Sequence, residues 1–364
     1  MKILEITEFS AGICGVWTRV LSESREFVKL GYDVAVFSSD IEKGTNKRVG
    51  CEDEAFGVRI KRFEGRQAVI TKNVTSFDFE TEFMAEKPDI VITHLIHPHS
   101  FKALKICLKN KIPCYLVTHA PFNVKRRFPL NIATSLYYDI KVKPFLNKFT
   151  KVISITKWEM PYLLHLGASK EKIVYIPNGL PEEFFKFKKT KPRKGKDVLF
   201  LGRIAPVKNL EMLIIAAIIL PKVNFSIVGS AEQSYLEKIE SMINKNNLKN
   251  VSILSPIYDL KEKIRLIDEH KIFVLPSRRE AMPQVLLEAM SRGKIVISSD
   301  TDGGKELINK RNGFLFKIGD YKELAGIIKS NLKGNKKIEN NAINTAKSYA
   351  WSEIIKKYIS IFKK

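Results

Sequence analysis

The chain has 364 residues, of which 45% are hydrophobic and 28% charged, which is typical of two globular domains and excludes a disordered or fibrous protein. Its formal net charge of +23 is uneven, because residues 101–200 carry 21 Lys/Arg against 6 Asp/Glu. Such a charge favours anionic partners, namely phosphate-bearing substrates, nucleic acid or an acidic membrane surface, without choosing among them.

The first residues, MKILEITEF, include acidic side chains and no small-residue cleavage site, so they predict a first strand and not a signal peptide. No window approaches the roughly 18 apolar residues of a membrane-spanning helix. The expected location is therefore cytoplasmic. Cys14, Cys51, Cys107 and Cys114 lack CxxC spacing, which argues against a zinc site or a disulfide framework and predicts buried free thiols.

The first half of the chain alternates short apolar runs with amphipathic stretches. A strand is predicted at 2–9, a helix at 16–31 ending at Gly31, and a second strand at 33–39. Later strands are predicted at 89–95, 114–120 and 151–156, with helical pieces such as 100–110 between them. Strands that alternate with helices indicate a parallel sheet covered on both faces.

A glycine-containing loop, SAGICGV at 10–16, follows the first strand and opens the first helix. Backbone N–H groups at a helix start can bind a phosphate. The spacing of Gly12 and Gly15 is not GxGxxG, so the loop is equally consistent with a tight structural turn.

The β/α pattern stops at 176–196, where proline, glycine and a Lys/Arg cluster replace periodicity, and then restarts. The second run of predicted elements lies at 198–204, 209–220, 224–229, 235–247, 251–256, 260–270, 272–277 and 294–300. Two Rossmann-like domains joined near 180–196 explain both runs. Ligands of such sheets bind beyond the carboxyl ends of the strands.

Two stretches of the second half carry charged residues at predicted strand ends. LGRIAPVKN at 201–209 places Arg203 and Lys208 after a strand, where two cations suit a diphosphate leaving group or form a solvated basic loop. SRREAMPQVLLEAM at 277–290 places Glu280 on a loop and Glu288 in a helix predicted from Pro283 to about 291. These carboxylates are expected to accept hydrogen bonds from sugar and ribose hydroxyls, or else to be a helix-dipole partner and an exposed helix charge.

Histidines follow two predicted strands of the first half. His94, His97 and His99 lie in HLIHPH, but no carboxylate or cysteine completes an obvious metal-ligand set. His119, directly after CYLVT, is the better catalytic candidate. The short motif DTD at 300–302 is interpreted as a turn into the following glycines.

Together these stretches resemble the retaining glycosyltransferases of the GT-B fold, family 4 of the glycosyltransferases (group 1), which includes phosphatidylinositol mannosyltransferase-like enzymes. The stretches that carry the resemblance are GICGVWTRVLSESREFVKLGYDVAVF, KPDIVITHL, YIPNGLPEEFF, FLGRIAPVKN, FSIVGS, VLPSRREAMPQVLLEAMSRGKIVISSD, GGKELI, NGFLF and YAWSEIIKKYISIF. The resemblance implies an α/β fold of two Rossmann-like domains that face a central cleft. It implies an acceptor-side domain at 1–182, a nucleotide-sugar domain at 183–349, and a closing helix at 350–364 that packs back on the first domain.

The resemblance also implies roles for single residues. Arg203 and Lys208 match the diphosphate-binding pair, Glu280 the glutamate near the transferred sugar, and Glu288 the glutamate that holds the ribose. His119 matches the histidine near the reacting centre. Other implied donor contacts are Gly15, Ala281, Met282, Pro283, Gln284 and Val285. The chain departs from the family pattern at Pro283, where a glycine is usual, and in having Gly12 and Gly15 instead of a Gly-Gly pair.

The implied activity is the retaining transfer of a hexosyl group from a UDP- or GDP-sugar to a lipid-linked, saccharide or other hydroxyl acceptor, without a metal or other cofactor. The basic and aromatic stretch 122–149 either rests on an anionic membrane, making the protein peripheral on the inner face, or is an ordinary solvated face. A sugar-nucleotide epimerase is the main alternative. A nicotinamide dehydrogenase using Asp40 lacks the glycine spacing, and a nucleic-acid-binding protein lacks a recognised motif, so no nucleic-acid partner is expected.

Overall fold

A computed structural model describes residues 1–12, 14–45, 47–67, 74–120, 136 and 138–362. Contacts divide the chain into two units. The first unit is Met1–Gly179 together with Trp351–Lys364, and the second unit is Leu180–Ala350.

The first unit contains an eight-stranded sheet. The strands of this unit are β1 (Lys2–Phe9), β2 (Asp33–Ser39), β3 (Glu52–Ala55), β4 (Val58–Phe63), β5 (Arg66–Gln67), β6 (Val74–Ser76), β7 (Ile90–His94), β8 (Cys114–Val117), β9 (Lys151–Ser154) and β10 (Ile173–Tyr175). Strands β5 and β6 form a separate two-stranded ribbon, and the other eight form the large sheet. The order across the large sheet is β10-β9-β8-β7-β1-β2-β4-β3. The strand order therefore reverses at β1, between β2 and β7.

Helices connect these strands and cover the sheet. They are α1 (Gly15–Lys29), α2 (Glu80–Glu86), α3 (Pro98–Asn110), α4 (Lys143–Leu146), α5 (Met160–His165) and the chain's last helix (Trp351–Phe362), with a π-helical segment at Tyr138–Val142 and a 3-10 turn at Lys170–Lys172. Within this unit Trp351 is only 2% exposed, and a Cβ added at Gly179 would lie 2.3 Å from its ring. A glycine at 179 is therefore required by close packing against the tryptophan.

The second unit contains a six-stranded sheet in which every neighbouring pair is parallel. Its strands are β11 (Val198–Leu201), β12 (Phe225–Val228), β13 (Val251–Leu254), β14 (Ile272–Leu275), β15 (Ile295–Ser299) and β16 (Phe314–Phe316), in the order β13-β12-β11-β14-β15-β16. The fully buried strands β11 and β14 are apolar throughout, as is typical of strands covered on both faces. The order reverses between β11 and β14.

The helices of the second unit are α6 (Glu183–Lys186), α7 (Glu211–Ile219), α8 (Gln233–Lys245), α9 (Leu260–Glu269), α10 (Gln284–Ser291), α11 (Asp302–Leu307), α12 (Tyr321–Asn331) and α13 (Lys336–Lys347), with a 3-10 turn at Pro206–Lys208. The last helix of the chain, Trp351–Phe362, is α14. Several begin with a side-chain cap; Asp259, Thr301, Asp320 and Asn335 each accept a backbone N–H of the first turn.

The structure departs from the sequence-based expectations in three places. The first sheet is not wholly parallel, because the unpredicted β3 pairs antiparallel with β4 at its edge. The stretch at 300–302 is not only a turn, since Thr301 caps α11 and Asp302 begins it. Of the four cysteines expected to be buried, Cys107 and Cys114 are buried, whereas Cys14 is half-buried and Cys51 exposed.

Among the described residues no helix is both long enough and apolar enough to cross a bilayer. The basic stretch predicted to meet a membrane, 122–149, lies outside the described residues at 122–135 and 137.

Candidate functional site

Two loops of the second unit meet at the point where its strand order reverses. One follows β11 and runs through Gly202 to Lys208, and the other follows β14 and runs from Pro276 to Pro283. The backbone N–H of Arg278 donates to Val207 O at 2.8 Å, which ties the loops together. Because a switch point leaves a crevice at the carboxyl edge of a parallel sheet, this is where a ligand is expected to bind.

Lys208 and Glu280, predicted for different roles, form an ion pair across these loops. Glu280 Oε1 accepts a hydrogen bond from Lys208 Nζ at 2.6 Å and another from Ser277 Oγ at 2.6 Å. The two side chains are 20% and 12% exposed, so the contact is partly shielded from water. An ammonium has three N–H donors, so Lys208 retains capacity for an anionic ligand while it holds Glu280 in place.

Glu288 lies on α10, and only one of its carboxylate oxygens has a partner. Oε1 accepts a hydrogen bond from Lys263 Nζ at 2.6 Å, whereas the buried Oε2 has no hydrogen-bond partner among the residues that the structure describes. One turn earlier on the same helix, Gln284 Nε2 is a buried donor that likewise has no partner within the described part of the chain. An unsatisfied buried polar atom is destabilising, so a ligand that pairs with these atoms would be favoured here. The expectation of an exposed helix charge at 288 is wrong, since the residue is 7% exposed.

Pro283 lies one residue before the helix and not in its first turn as expected. It is the N-cap of α10, with φ −75° and ψ 98°. Helix α10 therefore begins at Gln284, and its first amides, those of Gln284 and Val285, lack intrahelical acceptors. The proline removes no N–H from the helix itself.

A glycine of α11 supports the loop that carries Glu280. The Gly303 N–H donates to Glu280 O at 3.1 Å, and a Cβ added at Gly303 would lie 2.6 Å from Ala281 O. Any side chain at 303 would displace this loop. The sequence signal for this role was the Gly-Gly pair after Thr301 and Asp302, and it was interpreted only as a turn.

The ion pair that Arg203 forms lies outside the Lys208–Glu280 pair. The Arg203 guanidinium pairs with Glu232 Oε1 at 3.0 Å, and the two side chains are 60% and 47% exposed. An ion pair this exposed contributes little to stability and leaves the side chain available for a ligand.

In the first unit, the loop after β1 has two glycines with different surroundings. Gly12 has φ +80°, and an added Cβ would lie 2.5 Å from Lys43 O, so packing and backbone conformation both require glycine. Gly15 is the first residue of α1, and within the described part of the chain no atom other than those of its chain neighbours and of the helix backbone lies within 4 Å of an added Cβ. This position, at the start of a 15-residue helix, is therefore compatible with an anionic ligand.

His119 follows β8 with a backbone φ of +59°, a left-handed conformation that is uncommon for residues other than glycine. Its Nε2 lies 3.0 Å from His94 Nδ1, and His94 Nε2 lies 2.9 Å from Glu5 Oε2. The three side chains form one hydrogen-bonded chain that ends in a buried carboxyl. Strained backbone held by such a chain is typical of functional positions.

The buried end of this chain joins further charged groups. Glu23 Oε2 accepts hydrogen bonds from Arg19 Nε at 3.1 Å and from Tyr358 OH at 2.8 Å, and Ser24 Oγ donates to Glu5 Oε1 at 2.6 Å. Burial raises the pKa of Glu5 and that of Glu23 to about 7. The charge of Arg19 opposes this rise for both residues, and hydrogen bonds oppose it for Glu5. Burial also lowers the pKa of His94 to about 4. The network therefore favours a neutral imidazole and a shared proton on the carboxyls.

One atom each of Glu5, Glu23 and His94 lies within 4.8 Å of the others, close enough to hold a metal ion. These atoms already contact one another and Ser24, and Arg19 contacts Glu23. The Arg19 guanidinium thus supplies the positive charge that a cation would otherwise bring. His97 and His99, predicted only as weak metal candidates, contact each other through their Nδ1 atoms at 2.8 Å.

Several residues of both sites were missed from the sequence. Glu5 interrupts the apolar strand KILEITEF, which was a usable signal for a buried polar role. Arg19, Glu23 and Lys263 lie at positions of amphipathic helices that resemble ordinary surface charges. Tertiary packing buries Arg19 and Glu23 and half-buries Lys263.

Two sequence-family models match consecutive parts of the chain. "Glycosyltransferase Family 4" matches residues 13–184, and "Glycosyl transferases group 1" matches residues 181–349. An uncharacterized glycosyltransferase of Methanocaldococcus jannaschii is 26% identical over 74% of each chain. The UDP-Gal:alpha-D-GlcNAc-diphosphoundecaprenol alpha-1,3-galactosyltransferase of Escherichia coli is 31% identical over 41% of this chain and 42% of its own length. The N,N'-diacetylbacillosaminyl-diphospho-undecaprenol alpha-1,3-N-acetylgalactosaminyltransferase of Campylobacter jejuni is 26% identical over 59% of this chain and 57% of its own.

Solved structures show the same fold at low sequence identity. The Anabaena protein HepE, in complex with UDP, superposes with a TM-score of 0.79 at 18% identity over 100% of both chains. A glycosyltransferase from Rickettsia africae superposes with a TM-score of 0.78 at 18% identity, over 100% of this chain and 97% of that one. The expected GT-B class of fold, with two parallel-sheet α/β units, is confirmed.

Proposed function

Because the chain belongs to the group 1 glycosyltransferases, we propose that it transfers a hexosyl group from a nucleotide diphosphate sugar to a hydroxyl acceptor. The observation that carries the proposal is the buried, unpartnered Oε2 of Glu288, on the helix that follows the Lys208–Glu280 loops. The carboxylate suits ribose hydroxyls and the ammonium suits a diphosphate, and a nucleotide sugar presents both.

The donor is proposed to bind the second unit. Glu288 takes the two hydroxyls of the ribose, Lys208 and Arg203 take the diphosphate, and Glu280 accepts a hydrogen bond from a hydroxyl of the transferred sugar. The first amides of α10, at Gln284 and Val285, face the donor together with the backbone of Ala281 and Met282. UDP- and GDP-sugars are the proposed donors, and a bound UDP in the structural relative HepE supports the first.

The reaction is proposed to proceed with retention of configuration and without a metal. The bond between the anomeric carbon and the diphosphate oxygen breaks, the acceptor oxygen bonds to the same face, and the departing phosphate accepts the acceptor's proton. Lys208, Arg203 and the start of α10 stabilise the negative charge that develops on the diphosphate. Glu280 is engaged by Lys208 and Ser277, so it is assigned to holding the sugar and not to nucleophilic attack.

His119 is proposed to contact the transferred sugar, and Gly15 is proposed to lie beside the donor phosphate. The chain from Glu5 through His94 fixes the orientation of the His119 ring. If Glu5 is ionised it accepts the proton of His94 Nε2, so His94 Nδ1 accepts from His119 Nε2 and His119 Nδ1 is left as an acceptor. If Glu5 is protonated, both hydrogen bonds reverse: Glu5 donates to His94 Nε2, and His94 Nδ1 donates to His119 Nε2. His119 Nδ1 then carries a proton and is a donor.

The acceptor is proposed to be a saccharide on a lipid diphosphate. The named Escherichia coli and Campylobacter jejuni relatives act on diphosphoundecaprenol-linked sugars. We further propose that the basic stretch 122–149 rests on an anionic membrane. Flotation with vesicles of anionic phospholipid, against vesicles of phosphatidylcholine, tests this association, and absence of binding at low salt contradicts it.

The proposed function is tested by incubating the protein with UDP-, GDP- and ADP-sugars, with and without a lipid-diphosphate acceptor. Acceptor-dependent release of nucleotide and a glycosylated product are expected. Replacing Lys208→Ala should lower turnover on the order of 100-fold, because one charge-stabilising donor to the leaving group is lost. Lys222→Ala, an exposed lysine of the same unit, is the matched control.

Near-normal turnover of the Lys208→Ala variant contradicts the assignment of that residue. An epimerized nucleotide sugar without release of nucleotide identifies the epimerase alternative instead.

A further inference from the structure

A cavity of about 500 Å³ lies in the second unit, and we call it the basic pocket. Seven Lys or Arg residues line it, against one acidic residue, Glu339. Part of its wall is the segment 189–192, which contributes Lys189 and Lys191 from the Lys/Arg cluster between the two β/α runs. The proposed transfer reaction does not use this cluster.

Only some of these cations are neutralised by the protein. Arg292 forms a two-pronged pair with Asp268, at 2.9 and 2.7 Å, and Lys271 pairs with Asp197 at 2.7 Å. Lys336 pairs with Glu339 at 2.8 Å. Among the residues that the structure describes, no salt bridge is formed by Lys189, Lys191, Lys294 or Lys333.

Burial and neighbouring cations lower the pKa of two lysines of the basic pocket. The ammonium of Lys294 is buried and donates one hydrogen bond, to Asp268 O at 2.7 Å. Burial lowers its pKa to about 8, opposed by Asp268 and reinforced by Arg292 and Lys189. Burial likewise lowers the pKa of Lys189, with Arg292 as the next cause. An anion in the pocket removes this repulsion and offers acceptors to the remaining N–H donors.

The basic pocket is at the opposite edge of the sheet from the proposed donor site. Lys271 directly precedes β14 and Lys294 directly precedes β15, so both lie at the amino ends of parallel strands. The donor loops follow the carboxyl end of β14, about 13 Å away for a four-residue strand. One ligand of the donor site therefore does not account for these lysines.

The lining also restricts the chemistry of the occupant. Among the lining residues the seven cations outnumber the apolar side chains, such as Leu332 and Ile343. Gly293, with φ +69°, keeps the space beside Lys189 clear, because an added Cβ would lie 3.5 Å from Lys189 Nζ and 3.1 Å from Ile343. A compact anion with several negative oxygens fits this lining better than an apolar ligand.

We propose that the basic pocket is a second anion site of the second unit, which binds a phosphate-bearing group through Lys189, Lys294 and Lys333. The group belongs either to a soluble diphosphate or triphosphate or to a phospholipid head group.

The test measures binding of pyrophosphate and of tripolyphosphate by calorimetry, at constant ionic strength. All proteins carry Lys208→Ala, which weakens the donor site equally in every protein compared. The double variant Lys189→Gln/Lys333→Gln is compared with Lys222→Gln/Lys249→Gln, which removes the same charge from exposed positions elsewhere on the unit. The Kd for polyphosphate should rise at least about tenfold in Lys189→Gln/Lys333→Gln, because two charge-assisted contacts are lost, and should not change in the control double variant. Flotation with phosphatidic acid vesicles forms the second arm.

Selective loss of polyphosphate binding supports the pocket with a soluble ligand. Selective loss of vesicle binding, with no polyphosphate binding, supports it with a head group. Equal behaviour of the two double variants, or no binding in either arm, overturns the proposal.

Discussion

Glu280 and Glu288 are eight residues apart, yet the structure gives them separate environments. Glu280 meets Lys208 and Ser277 on the loops, whereas Glu288 meets Lys263 on the neighbouring helix α9. Their different positions, one on a loop and one in a helix, follow from the sequence because Pro283 and the apolar periodicity mark a helix start. Lys263 does not follow from it, since a lysine in an amphipathic helix predicts a solvated charge.

We expect Lys263→Gln to weaken donor binding and to lower stability. Without the ammonium, both oxygens of the buried Glu288 carboxylate lack a charged partner, which costs about 2 kcal/mol in the free energy of unfolding. The Kd for UDP or GDP should rise about tenfold, because the carboxylate is no longer held in place for the ribose. Chemical denaturation and calorimetry measure the two effects. Lys245→Gln, on the exposed face of α8, is the control, and equal affinities of the two variants contradict the role of Lys263.

Pro283→Ala tests whether a missing amide at this position limits donor binding. Since Pro283 is the N-cap and α10 begins at Gln284, the new N–H lies outside the helix. We expect the Kd of the nucleotide to change less than about threefold. The free energy of unfolding should fall by less than about 1 kcal/mol, from the greater freedom of the unfolded chain. Pro221→Ala is the control for the second effect. A tenfold gain in affinity at 283 alone reveals an amide contact that the cap geometry does not predict.

At the scale of elements, four of them in the first unit share one buried polar network. Strand β1 contributes Glu5, β7 contributes His94, and helices α1 and α14 contribute Glu23 and Tyr358. The closing helix thus depends on hydrogen bonds as well as on the packing of Tyr358 against Phe27. The sequence predicted these elements from periodicity, but not their convergence, because the partners are distant in the chain: His94 is 89 residues from Glu5, and Tyr358 is 335 residues from Glu23.

This network predicts a pH dependence of stability. Glu5 and Glu23 have a folded pKa of about 7 against an ordinary value of 4.5, so the folded state binds more protons between those values. The stabilisation is complete below about pH 4.5 and is lost as the pH rises to about 7, at up to about 1.4 kcal/mol per pH unit for one group. His94 acts oppositely, with a folded pKa of about 4 against 6.5, so its unfavourable contribution grows as the pH falls through that window.

Replacing Glu5→Gln should therefore cost the most stability at pH 5 and progressively less toward pH 7. Urea denaturation at each pH measures the difference between the variant and the wild type, and Glu54→Gln, exposed on β3, is the control. Parallel curves for wild type and Glu5→Gln contradict a proton bound at this carboxyl.

Edge elements show where periodicity fails. Strand β3 reads EDEA and has no buried residue, and β4 reads VRIKRF with its alternation broken by the buried Arg62. Arg62 is held by Ser10 Oγ at 2.8 Å and Asp53 at 2.8 Å. An exposed edge strand carries no apolar signature, so pairing with its neighbour, and not its sequence, determines its position.

At the scale of the whole molecule, two runs of β/α units predict two sheets, and each sheet has a switch point. In both units the predicted site residues follow β1, β8, β11 or β14, and these strands lie at or near the reversals. Strand order itself is not readable from one sequence. The rule that ligands bind beyond the carboxyl ends of parallel strands holds for any strand order, so candidate site residues can be named from the sequence without the topology.

The assignment of the donor to one unit makes a prediction for the whole chain. A ligand that binds only the folded state stabilises by an amount that grows as ln(1 + [L]/Kd), and amides near the contact gain the most protection from exchange. With saturating UDP or GDP, hydrogen exchange should slow at 202–208 and 277–288, and much less at 10–15 and 114–120. Hydrogen-exchange mass spectrometry with and without nucleotide measures this, using Glu288→Gln as the binding-impaired comparison and Glu240→Gln, exposed on α8, as its matched control. Protection confined to 10–15 would place the nucleotide on the first unit, since amides at a helix start respond directly to a bound phosphate.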